Sequence, residues 1–396
     1  GGVDCRHSGR VVLMRSISIL GATGSVGAST LDLIRRNRGE WQVVALTANS
    51  SAEELARLAR EFGAEIAVVG DETCLGELRE ALSGSDIEAA GGPDALCEAA
   101  ARPVDLTVAA IVGCAGLAPT MAAIEQGATI ALANKEALVS AGEVMTAALT
   151  RHGATLLPVD SEHNAIFQCL AGSDLNDVRR ITLTASGGPL RNWSAERLAA
   201  VTPAEAVAHP NWDMGAKISV DSATMFNKGL EFIEAHHLFP VGLDRLRIVV
   251  HPQSVIHSMV EYRDNSTLAQ LGPSDMRVPI ASCLAWPRRM DTPCEPLDLP
   301  ALGELTFFAP DEDRFPATRI AREAAQAGGA APAVMNAANE VAVAAFLAGN
   351  MAFTRIALVV EETLNNYTPD APQSLADVLA VDGGARASAE TLLETA

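Results

Sequence analysis

The chain has no surplus of positive charge, no paired-cysteine motif and no uninterrupted apolar span, and each absence removes a class of function. Its 396 residues carry a formal net charge of −20, so no basic field exists to displace the counterions of a nucleic acid, and no nucleic-acid partner is expected. A protein this acidic must concentrate its cations locally wherever it handles a phosphate. The cysteines, at positions 5, 74, 97, 114, 169, 283 and 294, form neither a CxxC pair nor a closely spaced even framework. This argues against structural zinc and for free thiols in a reducing, cytoplasmic compartment. Residues 106–124 are uncharged, but Gly113, Gly116 and Pro119 interrupt them and Ala and Gly dominate, so strand, turn and helix are expected there rather than a membrane span. The first thirteen residues lack an apolar core of leader length; no signal or transit peptide is expected, and the segment reads as an expression remnant or a frayed arm.

The length allows two or three domains. From Ser16 the pattern is a short apolar run, a glycine turn and an amphipathic helix, repeated. SISIL enters Gly21-Ala-Thr-Gly24-Ser-Val-Gly27, and ASTLDLIRRN follows with helical period. A strand feeding a glycine turn and a helix is the context a dinucleotide site requires, because glycines let the backbone approach a pyrophosphate and the helix N-terminus attracts it. The spacing is GxxGxxG rather than GxGxxG, and a glycine turn without a ligand is the alternative. The second strand, WQVVALTA, ends at Asn49-Ser50-Ser51 with neither an acid nor a cation at its tip. The missing acid leans towards a 2′-phosphate on the ribose. Ser51 and Glu54 are spaced as a capping box for the next helix. Further strands at EIAVVG, VDLTVAAI, TIALA and ATLLPV alternate with helices, which predicts a Rossmann-like, doubly wound parallel sheet over residues 14–160.

Two strand ends carry chemistry. Asn134-Lys135-Glu136 opens a helix, where a lysine opposes the dipole; a buried or substrate-facing Lys135 near a nicotinamide explains it, and a solvated lysine is the alternative. Asp160 and Glu162, read as i and i+2 of an extended segment, fall on one side, and together make a poor cap but a good site for a hard divalent cation. A third acid comes from the 23 residues His209 to Glu231. If a helix begins near Ala223, its first turn offers free N–H groups to an anion, Ser222 and Asn227 can donate to phosphate oxygens, and Lys228 adds charge. Glu231 shares a face with Asn227 and Lys228. With Asp160 and Glu162 it would give three oxygen ligands for Mg²⁺ or Mn²⁺, leaving positions open to substrate. The alternative is a capped amphipathic helix with a solvated Lys/Glu pair.

Beyond residue 160 the texture changes. VRRITLTA ends in Ser186-Gly187-Gly188, TPAEAV begins a helix with Thr202 as cap and Pro203 at its first position, and LRIVVHPQSVIHSMVEY and STLAQLG alternate like antiparallel strands exposed on one face. An α+β domain over 161–285 is expected, then a Pro-rich linker at 286–311 and a C-terminal helical domain at 312–396. Asn336, Asn339 and Glu340 read as helix-face polarity.

In order along the chain, GATGSVG, ANKE, PVDSEHNAIFQ, TASGGP, HPNWDMGAKISVDSATMFNKGLE and HPQSVIHSMVEY resemble the 1-deoxy-D-xylulose 5-phosphate reductoisomerases. These are NADPH- and metal-dependent enzymes of isoprenoid precursor synthesis that form homodimers. The resemblance implies a sugar phosphate substrate and a divalent metal on Asp160, Glu162 and Glu231. It assigns Ser186, Ser222, Asn227, Lys228 and His209 to the substrate phosphate, Ser161 and Lys135 to its hydroxyl and carbonyl region, and His257 to the active site. Residues 207–216 match a flap in which Trp212 and Met214 cover the substrate. Gly21, Thr23, Gly24, Ser25, Val26, Gly27, Asn49, Asn134, Lys135 and Glu136 would meet the cofactor. One departure stands out: the family's lysine at the second-strand tip is absent from Thr47-Ala48-Asn49-Ser50. A semialdehyde-type dehydrogenase would share the glycine turn but needs a cysteine nucleophile, for which only Cys114 and Cys169 are placed. A nucleotide-sensing regulator would need a basic recognition helix, and none is visible.

Overall fold

The computed structural model describes residues 14–209, 212 and 215–394. Seven strands, β1 (Arg15–Leu20), β2 (Trp41–Ala48), β3 (Ile66–Val69), β4 (Glu88–Gly91), β5 (Leu106–Ala109), β6 (Thr129–Leu132) and β7 (Thr155–Pro158), form one parallel sheet in the order β4-β3-β2-β1-β5-β6-β7. Their interiors are near-continuous Ile, Val, Leu and Ala because helices cover both faces. β4 was not foreseen: EAAG is short, half exposed and lies at the sheet edge. The order reverses between β1 and β5, which opens a crevice beyond the carboxyl ends of these strands. The uncharged run 106–124 becomes β5, a glycine turn and helix Leu117–Glu125. Among the described residues no helix is long and apolar enough to cross a membrane.

The second sheet has four strands, β8 (Val178–Ala185), β9 (Leu246–Val250), β10 (Ile256–Tyr262) and β11 (Thr267–Leu271), in the order β11-β10-β8-β9. β10 is antiparallel to β8 and β11, as expected, but β9 runs parallel to β8. The long helical crossover between β8 and β9 makes that parallel return possible. Thr202 caps helix Pro203–Ala206 through a full capping box with Glu205. The box expected from Ser51 and Glu54 does not form: Ser51 makes no side-chain cap bond, and Glu54 instead accepts from Arg57. Helix Arg277–Ala285 folds back on the first sheet, where Ile280, Cys283 and Leu284 join its core. The helices Ala317–Ala327, Ala331–Leu347, Arg355–Asn366 and Leu375–Glu394 complete the chain, and much of their apolar surface merges with the core behind the second sheet.

Candidate active site

At the end of β1 the backbone turns through Gly21, whose φ of +89° suits glycine, and an added Cβ would lie 2.7 Å from the Ala110 carbonyl oxygen. A Cβ on Gly27 would come within 2.3 Å of the Gly21 oxygen, so the turn and the helix that follows are packed backbone to backbone. Thr47 on β2 secures the turn, its hydroxyl accepting from the Gly21 N–H at 2.9 Å and its carbonyl from the Ala22 N–H at 2.7 Å. Helix Ser25–Arg36 has Gly24 as its cap and no side-chain cap bond. Its first N–H groups are thus oriented for an anion. Ser25 and Val26 line the adjoining cleft. Thr23 is part of the same turn, and Asn49 is exposed at the tip of β2.

The opposite wall begins at β6. Asn134 caps helix Lys135–His152 by accepting from the Ala137 N–H, and its amide donates to the Gly113 carbonyl at 2.8 Å. Lys135 is buried rather than solvated. Its Nζ donates to Asp160 at 2.6 Å, Asn227 at 2.9 Å and Glu231 at 3.0 Å. Burial alone would lower its pKa, but the charges of Asp160 and Glu231 outweigh that and hold it well above the usual lysine range. Glu136, the next residue, pairs with Lys217 at 3.1 Å.

Asp160, Glu162 and Glu231 each offer an oxygen within 4.8 Å of the others. The route to this cluster differs from the sequence expectation. Asp160 and Glu162 do not lie on an extended segment; Asp160 is the N-cap of helix Ser161–Cys169, accepting from the Glu162 N–H at 3.2 Å, and Glu162 sits in the first turn. The helix expected from Ala223 is in fact two. Helix Ala216–Thr224 ends, Met225 takes φ +71°, and helix Phe226–Leu238 begins. Ser222 therefore lies in the last turn of one helix, while Asn227 and Lys228 lie in the first turn of the next. A left-handed methionine leaves no signature a sequence pattern can register.

Lys228 donates to Glu162 at 2.8 Å and also to Glu231, and Asn227 donates to Glu231 at 2.6 Å. The buried Glu231 and the partly buried Asp160 and Glu162 thus face two buried ammonium groups. Burial, and then the charge of Glu231, pushes Glu162 up to about 7. Behind the cluster, the fully buried His163 places Nε2 2.9 Å from the Glu231 carbonyl and Nδ1 3.0 Å from Glu234. Ser161 donates to Glu162 at 2.6 Å.

These groups open into a cleft of about 370 Å³, lined also by Ser186, His209, Trp212 and Ser222. His209 Nε2 lies 2.9 Å from the Ser186 hydroxyl, and its Nδ1 accepts from the Trp212 N–H at 3.0 Å. Nδ1 is thus the bare nitrogen and Nε2–H the donor to Ser186. Burial, with help from Arg191, lowers the His209 pKa. Trp212 is half buried with its ring 6.2 Å from that of His257, which is itself buried behind the cleft and bonded to the Gly272 carbonyl. Met214 lies outside the described residues. Sequence reasoning missed Ser254, Ser274, Asp275 and Met276, all of which line the cleft. Ser254 has φ +51° in the HPQSV segment; the Gly-Pro turn before Ser274 was the one available signal. Asn336 and Asn339 are fully buried rather than on an exposed helix face, and Asn339 donates to Asp221 at 2.8 Å. Helical period alone could not separate an inward polar face from an outward one.

Against a cysteine nucleophile, burial pushes Cys114 and Cys169 each up to about 11, which suppresses the thiolate.

Comparison with known proteins gives a single answer. Residues 17–142 match the 1-deoxy-D-xylulose 5-phosphate reductoisomerase family, residues 156–239 its C-terminal domain, and residues 271–388 the DXP reductoisomerase C-terminal domain. A 1-deoxy-D-xylulose 5-phosphate reductoisomerase of Zymomonas mobilis is 59% identical over 96% of this chain and 98% of its own length. One from Rhodospirillum centenum is 54% identical over 99% of this chain and 97% of its own. The solved structure of the Zymomonas mobilis enzyme in complex with NADPH has a TM-score of 0.93 at 57% identity, covering 97% of this chain and all of that one. A DOX-P reductoisomerase in complex with NADPH, fosmidomycin and magnesium has a TM-score of 0.92 at 43% identity, covering 96% of this chain and 98% of its own.

Proposed function

Because the chain belongs to the 1-deoxy-D-xylulose 5-phosphate reductoisomerase family, we propose from that premise how its residues divide the work. The chain is a metal- and NADPH-dependent reductoisomerase that converts 1-deoxy-D-xylulose 5-phosphate to 2-C-methyl-D-erythritol 4-phosphate, a step of isoprenoid precursor synthesis. The observation that carries the assignment of roles is the convergence of three carboxylates within 4.8 Å beside a glycine turn built for a nucleotide.

Asp160, Glu162 and Glu231 would hold a divalent ion, Mg²⁺ or Mn²⁺. The fit rests on the donor set, which is all hard oxygen, and on its charge: with all three carboxylates ionised, as a cation would hold them, and both lysines paired, one negative charge is left over. When bound, the ion supplies Lewis-acid polarisation of the substrate's adjacent oxygens. NADPH would lie along the turn of Gly21, Thr23, Gly24, Ser25, Val26 and Gly27, where the glycines at 21 and 27 let the backbone pack closely below the uncapped N-terminus of helix Ser25–Arg36, and Asn49, Asn134 and Glu136 would meet its ribose and nicotinamide ends.

The remaining roles fall to side chains that line the same cleft or adjoin it. Lys228 uses two N–H groups on Glu162 and Glu231 and directs the third to the substrate phosphate. Ser186, Ser222, Asn227 and His209 join it there, the His209 Nε2–H arriving through the contact it now makes with Ser186. Phosphate capture fixes the far end of the ketose and supplies orientation rather than chemistry. Lys135 exchanges one of its three acceptors for a substrate oxygen and steadies charge there, with Ser161 beside it. Trp212, tilted against the His257 ring, excludes water from the reacting carbons.

The division of the chain is proposed as a nucleotide domain over 14–160, a catalytic domain over 161–285, a linker over 286–311 and a helical domain over 312–396. Two copies are proposed to pair along β11, an edge strand that exposes Leu268 by 50% and Leu271 by 37%. Free thiols at the described cysteines support a cytoplasmic setting. The test is loss of NADPH absorbance with 1-deoxy-D-xylulose 5-phosphate, with and without a chelator. Turnover that survives complete metal removal would overturn the role given to the carboxylates.

A further inference from the structure

Lys217 stands in the first turn of helix Ala216–Thr224, where a cation opposes the helix dipole. Something must hold it there. Its Nζ lies 2.7 Å from Asp221, one turn on in the same helix, and 3.1 Å from Glu136 at the start of helix Lys135–His152. Asp221 is 1% exposed and its other oxygen accepts from Asn339 on helix Ala331–Leu347. The ammonium group thus ties helix Ala216–Thr224 to helix Lys135–His152, and Asp221 ties the same helix to Ala331–Leu347. Its two partners adjoin both sites assigned above: Glu136 was given to the nucleotide and follows Lys135, which lines the cleft, while Ser222, after Asp221, lines it on the side assigned to phosphate.

We propose that Lys217 is a positioning residue that couples the nucleotide site to the sugar phosphate site, by fixing the helix that carries Ser222 against the helix that carries Lys135. The proposal rests on the function given above. A ligand that orders helix Lys135–His152 orders Glu136, which through Lys217 orders Asp221 and Ser222, so the second ligand meets a wall already set. By linkage the effect is reciprocal: each ligand must tighten the other by one common factor. A bond that served only stability would change both affinities without changing that factor.

The experiment uses the metal-loaded protein with NADPH and 2-C-methyl-D-erythritol 4-phosphate, a product NADPH cannot reduce, so that no turnover intervenes. Calorimetry gives the dissociation constant of each ligand with and without saturating amounts of the other. In the wild type each ligand is expected to tighten the other by at least about 5-fold, within the usual range for coupled sites. In Lys217→Met the factor falls to within about 2-fold of one, and Lys217→Arg restores it. Removing the ammonium leaves Asp221 buried and short of a partner, so Lys217→Met/Asp221→Asn carries the same test if the single variant does not fold. A wild-type factor that persists in either variant would overturn the proposal, as would a wild type that binds both ligands independently. A wild type that fails to bind NADPH at all would instead overturn the functional reading beneath it.

Discussion

Replacing Glu231 by Gln isolates the charge argument at the centre of the site. The variant keeps side-chain volume and an amide oxygen for Lys135 and Asn227, but it changes the local balance of three carboxylates and two ammonium groups from one net negative charge to none. Within the 4.8 Å span of the cluster, two unit charges interact by about 3 kcal/mol at an effective dielectric near 20, and a divalent ion doubles that. Halving the sum for water in the cleft leaves about 3 kcal/mol, or about 100-fold in affinity. Lys135→Met changes the balance in the opposite sense and is expected to tighten the ion while abolishing turnover. Mn²⁺ binding followed by electron paramagnetic resonance on metal-stripped protein reads both directly, without reliance on catalysis. A Glu231→Gln variant that folds and binds Mn²⁺ within about 3-fold of wild type would refute the reasoning.

Lys228→Ala removes the charge assigned to the substrate phosphate; KM for the ketose phosphate is expected to rise by at least about 10-fold, and an unchanged KM would take Lys228 out of that role. Gly27→Ala places a Cβ 2.3 Å from the Gly21 oxygen, where only backbone could give way; a loss of about 1–3 kcal/mol in stability and weaker NADPH binding are expected in denaturation and fluorescence titrations. The pKa of His237 is lowered to about 4, by burial first and then by His236. Because the folded value lies below the unfolded one, the unfolded state takes up the proton first. Stability from this group is intact above about 6.5 and is lost as pH falls towards about 4, by at most about 3 kcal/mol. Denaturation across that range, compared with His237→Gln, should show the difference, and parallel curves would contradict it.

What the sequence revealed and what it hid follow from the range of the forces involved. The parallel sheet was legible because β1, β2, β3, β5 and β6 are apolar runs followed by turns, a short-range pattern. β4 escaped because Glu88-Ala-Ala-Gly91 has neither length nor apolar character and is recruited by its pairing with β3. The three acids were recognisable by type, but their meeting depends on the Asp160 cap, a local bond to the Glu162 N–H that reading the segment as extended missed, and on the left-handed Met225 break, which no residue pattern signals. Glu136, which Lys217 meets besides its i+4 neighbour Asp221, lies 81 residues away, and the Asp221 partner of Asn339 lies 118 away; no local spacing encodes such pairs. The parallel run of β9 beside β8 was hidden for the same reason, since alternation reports exposure and not direction.

The most direct measurement is anomalous diffraction from crystals of this protein soaked in Mn²⁺. One strong peak bounded by the carboxylates of Asp160, Glu162 and Glu231, with Lys135 and Lys228 withdrawn from the oxygens they now contact, is the result predicted. A peak elsewhere, or none at a concentration that supports full turnover, would contradict the account.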